Sequence, residues 1–110
     1  MTTTQQLDLQ QMRTAAAQAC ALLKTLGNPD RLMLLCQLAR GEYSVGQLEA
    51  QLGIAQPTLS QQLGVLREEK LVGTRRDGKQ IFYRIDSDAA LAVIQVLYRQ
   101  FCLPTEGVAS

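Results

Sequence analysis

Between Ser44 and Arg84 the apolar period of the chain changes once, from helical to alternating, and that switch restricts the fold more than any other feature. Ser44-Val45-Gly46-Gln47 has the form of a capping box, with Ser as cap and Gln three residues on. It opens a short helix, Val45–Leu52, which Gly53 stops. Gly53-Ile54-Ala55-Gln56 then leads into Pro57, whose fixed φ suits a first helical position. The helix predicted from Pro57 to about Lys70 places Leu59, Leu63 and Leu66 on one face. Its other side carries Gln61, Gly64 and Glu68, flanked by Thr58, Ser60, Gln62 and Val65. Two short helices joined by a tight, Gly-containing turn predict a helix-turn-helix. After Gly73 the period becomes two. Thr74-Arg75-Arg76 and Gln80–Ile85 flank Asp77-Gly78, a strong hairpin signal with Asp-Gly at the centre of the turn. Ile81, Tyr83 and Ile85 alternate with Gln80, Phe82 and Arg84, so one face of the second strand can cover a core.

The flanking segments are helical. Residues 7 to 26 place Met12, Ala15, Ala16, Ala19, Leu23 and Leu26 on one side, with Gln18 and Thr25 outward and Gly27 as the stop. Such an Ala-rich, weakly charged helix suits packing against a partner subunit, and equally packing on its own domain. Asn28-Pro29-Asp30 starts a second helix, with Asn as cap, Pro in the first turn and Asp at the positive end of the dipole. It runs to about Arg40, with Gly41 as its C-terminal stop, and Leu32, Leu35, Cys36 and Ala39 share a face. Ser87-Asp88 starts the last helix, which runs to about Cys102 with Leu91, Ile94, Leu97, Tyr98 and Phe101 on its apolar side. The resulting order, four helices, a hairpin and a fifth helix, predicts a mainly α winged helix-turn-helix. It forms one domain over residues 1–110, with 1–6 and 104–110 frayed.

Composition narrows the function. The 110 residues contain no His, which removes His-based triads, His–carboxylate base pairs and His metal sites, and no Gly-rich phosphate loop is present. An enzyme and a cofactor are therefore not expected. The net charge of +1 hides an asymmetry: Arg67–Arg84 carries six basic residues against three acidic, a local +3 that leaves −2 on the rest. Arg67, Arg75, Arg76 and Lys79, with Gln80, suit phosphate contacts or the minor groove. At the start of the preceding helix Gln56, Thr58, Ser60, Gln61 and Gln62 supply uncharged groups of groove-reading length. Gln can pair with adenine N6 and N7, and Ser or Thr can hold phosphates or base edges. Double-stranded DNA is the partner this pattern implies. Gly64, which costs roughly 1 kcal/mol relative to Ala in a helix interior, permits either close approach to DNA or a tight helix crossing.

The N-terminus lacks a basic flank followed by an apolar stretch, and no run of about 18 apolar residues exists. A cytoplasmic protein without membrane contact is the expectation. Cys20, Cys36 and Cys102 show no CxxC spacing, and by composition alone each is a small apolar filler.

Three blocks carry a family resemblance: Leu26–Leu38 (LGNPDRLMLLCQL), Gln56–Val72 (QPTLSQQLGVLREEKLV) and Thr74–Ile85 (TRRDGKQIFYRI). Over roughly residues 10 to 102 the chain resembles the ArsR/SmtB family of dimeric repressors. The resemblance implies a homodimer built from the first and last helices that binds an imperfect palindromic operator until an inducer is sensed. Metal sensors of that family carry a Cys-x-Cys-type site at the first helix of the helix-turn-helix, or Asp, His and Glu on the last helix. Here the first place reads Tyr43-Ser44-Val45-Gly46-Gln47 and the last helix has Asp88 but no His, so no metal is expected.

Cys36 and Cys102, 66 residues apart, resemble instead the dithiol of the BigR/SqrR/HlyU-like subgroup, which senses reactive sulfur. That resemblance implies release of the operator when hydropersulfides or polysulfides link the two thiols by a di-, tri- or tetrasulfide. Cys20 stays a filler. The apolar neighbours of Cys36, Leu32, Leu35 and Ala39, are expected to restrict access to small sulfur species; the charges nearest in sequence are Arg31 and Arg40 for Cys36 and Arg99 for Cys102. Two alternatives remain: a general thiol- or peroxide-sensing repressor, and a winged-helix module that only mediates protein–protein contacts.

Overall fold

Pro, Gly and short polar caps divide the chain into eight elements in this computed structural model, which describes residues 2–102 and the side chains from Asp8 onward. They are α1 (Thr2–Leu26), α2 (Pro29–Leu38), β1 (Tyr43–Ser44), α3 (Val45–Leu52), α4 (Gln56–Glu68), β2 (Val72–Asp77), β3 (Gln80–Ile85) and α5 (Asp88–Phe101). The order is the predicted winged helix-turn-helix with one added strand. β1 pairs antiparallel with β3, Tyr43 opposite Tyr83 and Ser44 opposite Phe82, giving a sheet ordered β1-β3-β2. Two residues carry no period, so the sequence pattern held no sign of this strand.

Capping explains most boundaries. The Asn28 side chain accepts from the Arg31 amide at 3.0 Å and starts α2, and Ser87 accepts from the Ala90 amide at 3.1 Å and starts α5. Ser44 and Gln47 form the predicted capping box of α3 in both directions, and Gly53 closes that helix at φ 69°. α1 begins at Thr2, earlier than expected, because no Gly or Pro interrupts the chain before Gly27. Residues 2–6, expected to fray, are thus helical, while Met1 and residues 103–110 lie outside the described residues. α2 ends at Leu38 and unwinds through bonds from Arg40 to Gln37 and from Gly41 to Leu38, so Gly41 is not a left-handed cap. α4 ends at Glu68 because Lys70 takes φ 61°. The Leu71 amide then reaches Leu66 O at 2.9 Å and the Lys70 amide reaches Arg67 O at 3.0 Å, a Schellman closure with Lys where Gly is usual. In the hairpin Asp77 pairs with Gln80, so the two loop residues are Gly78 and Lys79, not Asp77 and Gly78. Gly78 alone has positive φ, 65°, at the first loop position, where a II′ turn needs it.

The core is aliphatic. Leu34, Leu35 and Leu38 of α2 meet Leu48 of α3, Leu59, Leu63 and Leu66 of α4, and Ala90 and Ile94 of α5. Leu26, Ile54, Leu71 and Val72 close its edges. α1 contributes little. Every side chain from Asp8 to Ala21 is exposed, and of the predicted stripe only Leu26 is buried. Thr25, expected outward, is buried, with its hydroxyl donating to Ala21 O at 3.1 Å. The last turn of α1 packs on the domain while the rest projects from it.

Lys70→Gly removes the Cβ penalty of the left-handed position and gives up a cation near the α4 C-terminus. The expected net gain is about 0.5–1 kcal/mol in unfolding free energy, measured by urea denaturation at fixed protein concentration.

Candidate nucleic-acid interface and thiol pair

Burial of Leu59, Leu63 and Leu66 turns the opposite side of α4 outward, so Gln56, Ser60, Gln61, Gly64 and Arg67 are all exposed. Ala55 precedes the helix without a side-chain acceptor, and Pro57 stands in the first turn. The first-turn amides of α4 are therefore left for solvent or a phosphate, unlike those of α3, which Ser44 caps. Gln56 Oε1 accepts from Ser60 Oγ at 3.3 Å. These two residues share a cleft of about 410 Å³ with Lys79 and Gln80 of the hairpin and with Ser44, Val45 and Gly46 at the start of α3. The hairpin therefore stands beside the N-terminal half of α4. A Cβ on Gly64 would meet nothing within 4 Å, so this glycine serves no helix crossing among the described residues.

Four of the ten residues read as DNA-contacting thus line one cleft: Gln56, Ser60, Lys79 and Gln80. Gln61, Arg67 and Arg76 lie exposed outside it, and Thr58 is half-buried. Two are engaged elsewhere. Gln62 Oε1 accepts from Arg31 Nη1 at 2.9 Å, which turns this side chain back toward α2. Arg75 donates through Nε to Glu42 Oε1 at 2.7 Å, lies 3.8 Å from Asp77, and covers the Phe82 ring with its guanidinium 4.6 Å from the centroid. Arg75 is thus a clamp between the sheet and the segment entering β1. Glu42, its partner, had no signal in the sequence, because an isolated acid in a loop has no pattern.

The thiols fall into two groups. Cys20 lies exposed on α1, so within the chain it is not the packed filler expected. Cys36 is half-buried on α2, and Cys102 is exposed at the C-cap of α5. Both line one cavity of about 310 Å³, together with Leu32, Met33, Leu52, Tyr98, Gln37 and Arg40. Cys36 also borders a second cavity, about 480 Å³, lined by Arg40, Tyr98 and Arg99 among others. Of the charges considered near Cys36, Arg40 is the one from α2 beside it, whereas Arg31 turns away toward Thr25 and Gln62. Burial pushes the Cys36 thiol up from its ordinary range, and the charge of a Cys102 thiolate pushes it further the same way. Tyr98, which stands between α2 and the end of α5 in both cavities, had shown in the sequence only as part of an apolar stripe.

A tightly joined helix pair, an outward polar helix face and an adjoining basic hairpin define a DNA-binding regulator of the winged helix-turn-helix class. The model of the bacterial regulatory proteins of the arsR family matches residues 28–74, from the start of α2 into β2. The chain is 56% identical over 103 residues to the biofilm growth-associated repressor of Agrobacterium fabrum, covering 94% of this chain and 88% of that one. The crystal structure of the transcriptional repressor BigR from Xylella fastidiosa superposes with TM-score 0.80 at 55% identity, covering 86% and 97% of the two chains. Reduced HlyU from Vibrio cholerae gives TM-score 0.82 at 40% identity, covering 86% and 99%. The chain belongs to the arsR family of bacterial transcription regulators. No helix among the described residues is long and apolar enough to cross a membrane.

Because its native environment favours the protonated thiol, Cys36 contributes stability that is present below the ordinary thiol pKa and lost as pH rises through the raised one. Its alkylation by iodoacetamide, followed by mass spectrometry, is expected to keep rising with pH beyond the range of a free cysteine. Cys102→Ser shifts that profile only part of the way back, since burial is the larger cause.

Proposed function

We propose that the protein is a homodimeric repressor that releases its operator when Cys36 and Cys102 are joined through sulfur, with hydropersulfides or polysulfides as the inducer. The observation that carries this reading is the single cavity lined by both thiols. Its apolar walls, Leu32, Met33 and Leu52, suit small sulfane-sulfur species better than bulky oxidants. Among the relatives two are named repressors, HlyU of Vibrio cholerae is named a transcriptional activator, and HlyU has been solved in a form described as reduced.

Exposure orders the chemistry. Cys102, the more open thiol, meets the inducer first: its thiolate attacks the outer sulfur of RS–SH, RS⁻ leaves, and Cys102 carries a persulfide. The Cys36 thiolate then attacks Sγ of Cys102 and displaces HS⁻, leaving a disulfide. Where Cys102 has taken up two sulfurs, attack one atom further out gives a trisulfide. Each step moves one electron pair onto a sulfur leaving group. A longer bridge relaxes the Cα–Cα span of about 4.4–6.8 Å that a direct disulfide needs.

Dimerisation is supported by what the chain leaves uncovered. Met12 is 65% exposed on α1 and Phe101 81% on α5, with Leu9, Leu23, Val96 and Tyr98 also open. Burying such surface yields roughly 25 cal/mol per Å². A two-fold dimer would present two α4 helices to successive major grooves of a near-palindromic site about 34–36 Å apart. In that pose Gln56, Ser60 and Gln61 face base edges, while Arg67, Arg76 and Lys79 face phosphates.

Lys79→Ala is expected to weaken binding to operator and unrelated duplex alike, and to lower the slope of log K against log salt by about 1. Gln61→Ala costs more on the operator, and equal losses on both DNAs would remove it from base reading. In intact-protein mass spectrometry run beside operator titration, Cys36→Ser holds an added sulfur on Cys102, forms no link and stays bound to DNA. Release of this variant by persulfide, or release of the wild type by hydrogen peroxide at matched dose, would contradict the assigned inducer.

A further inference from the structure

We infer that Arg31 is the positioning residue through which the thiol pair controls the reading helix, an inference that rests on the dithiol reading above. Arg31 and Cys36 lie five residues apart on α2, which places them about 140° apart around the helix and about 7.5 Å along it. Cys36 faces the cavity it shares with Tyr98 and Cys102 of the α5 end. Arg31 faces the other way. Its Nε donates to Thr25 O at the end of α1 at 2.6 Å, and its Nη1 donates to Gln62 Oε1 on α4 at 2.9 Å. One planar guanidinium therefore fastens α2, α1 and α4, and its rigid fork cannot follow one acceptor without leaving the other.

Among the described residues no other side-chain hydrogen bond joins α2 to α4. The ion pairs among the described residues are both made by Arg75, so no carboxylate competes for Arg31. The Arg31 amide is itself fixed on the Asn28 cap, which leaves the side chain little slack. The other side-chain bond from α2 to a helix, Gln37 Nε2 to Gln51 Oε1 at 2.8 Å, is exposed and reaches α3, not α4. Leu34, Leu35 and Leu38 are packed into the core, so α2 can respond to a bridge at Cys36 only as a rod. A shift at the thiol end is then delivered at Arg31, to Gln62, the direct neighbour of Gln61 on the exposed face of α4. Gln62 is in this view a handle for the reading helix and not a reader.

The test separates this link from the identity of the inducer by bridging Cys36 and Cys102 with dibromobimane, in which each thiolate displaces one bromide. All proteins carry Cys20→Ser, and mass spectrometry confirms the bridge. Operator Kd is measured bridged and unbridged for the parent, Arg31→Ala, Gln62→Leu, Gln62→Glu and Gln37→Ala. In the parent, bridging is expected to weaken binding by about tenfold or more. That ratio should fall toward 1 in Arg31→Ala and Gln62→Leu, and persist in Gln62→Glu, which keeps an oxygen acceptor at the same place, and in Gln37→Ala. A merely structural role would lower affinity in both states and leave the ratio intact. An unchanged ratio in Gln62→Leu, or no effect of bridging in the parent, overturns the inference. Should persulfide fail to link the thiols while dibromobimane still acts through Arg31, the inducer reading falls and the link stands.

Discussion

Burial of α2 is the constraint on which the other elements depend. Ten residues long, it packs against α1, α3, α4, α5 and β3, and places Leu34, Leu35 and Leu38 at the centre of the core. Each such side chain contributes roughly 1.5–3 kcal/mol when fully buried. The reading helix has its outward face because Leu59, Leu63 and Leu66 are drawn to that centre, and α5 is oriented by Ile94 and Ala90 meeting the same surface. With the small aliphatic core complete around α2, most of α1 finds no place in it. A chain of this size buries only about two-thirds of its unfolded surface, so an outlying helix with Leu9, Met12 and Leu23 exposed leaves the isolated protomer short of cover. Stability and assembly are thereby joined, because apolar area that the core cannot take is the area a second copy can bury.

Much of this architecture is legible in sequence because local chemistry and global packing agree. Asn28, Ser44 and Ser87 each cap the helix that the apolar period proposes, and Gly53 and Gly78 occupy positions where φ is positive. The illegible parts have short-range or non-local causes. β1 is too short for any period and exists only because β3 offers it an edge. The hairpin centre moved by one residue because the Asp77–Gln80 pairing set the loop at Gly78-Lys79, overriding the Asp-Gly preference. Lys70 carries no sign of a left-handed residue. It is held there by the two bonds closing α4 and by Leu71 turning into the core.

The site shows the same division. Which residues face outward on α4 follows from where its leucines point, so Gln56, Ser60 and Gln61 could be read directly. Gln62 and Arg75 could not, because their partners, Arg31 and Glu42, lie 31 and 33 residues away. No spacing rule connects Cys36 with Cys102 either. Their shared cavity is a product of α2 crossing α5. The family resemblance supplied that pairing where periodicity had none to offer, and in the folded chain the two residues share only the lining of that cavity.

The hairpin explains how a nearly neutral protein can present a cationic edge. Arg75 and Arg76 are adjacent on β2, and the pleat sends adjacent side chains to opposite faces. Arg75 falls opposite Phe82, stacks on it and meets Glu42, so its charge is spent within the fold. Arg84, opposite Gly73, lays its guanidinium across that glycine beside Asp86. Arg76 and Lys79 remain exposed and are placed in no ion pair among the described residues. Register therefore decides which cations brace the wing and which stay open to phosphate. A slip of one residue would exchange Arg75 and Arg76, unpin the sheet from the β1 segment and turn the outward charge inward. The total of +1 is compatible with DNA binding because the relevant quantity is where the strand alternation puts each charge, not how many there are.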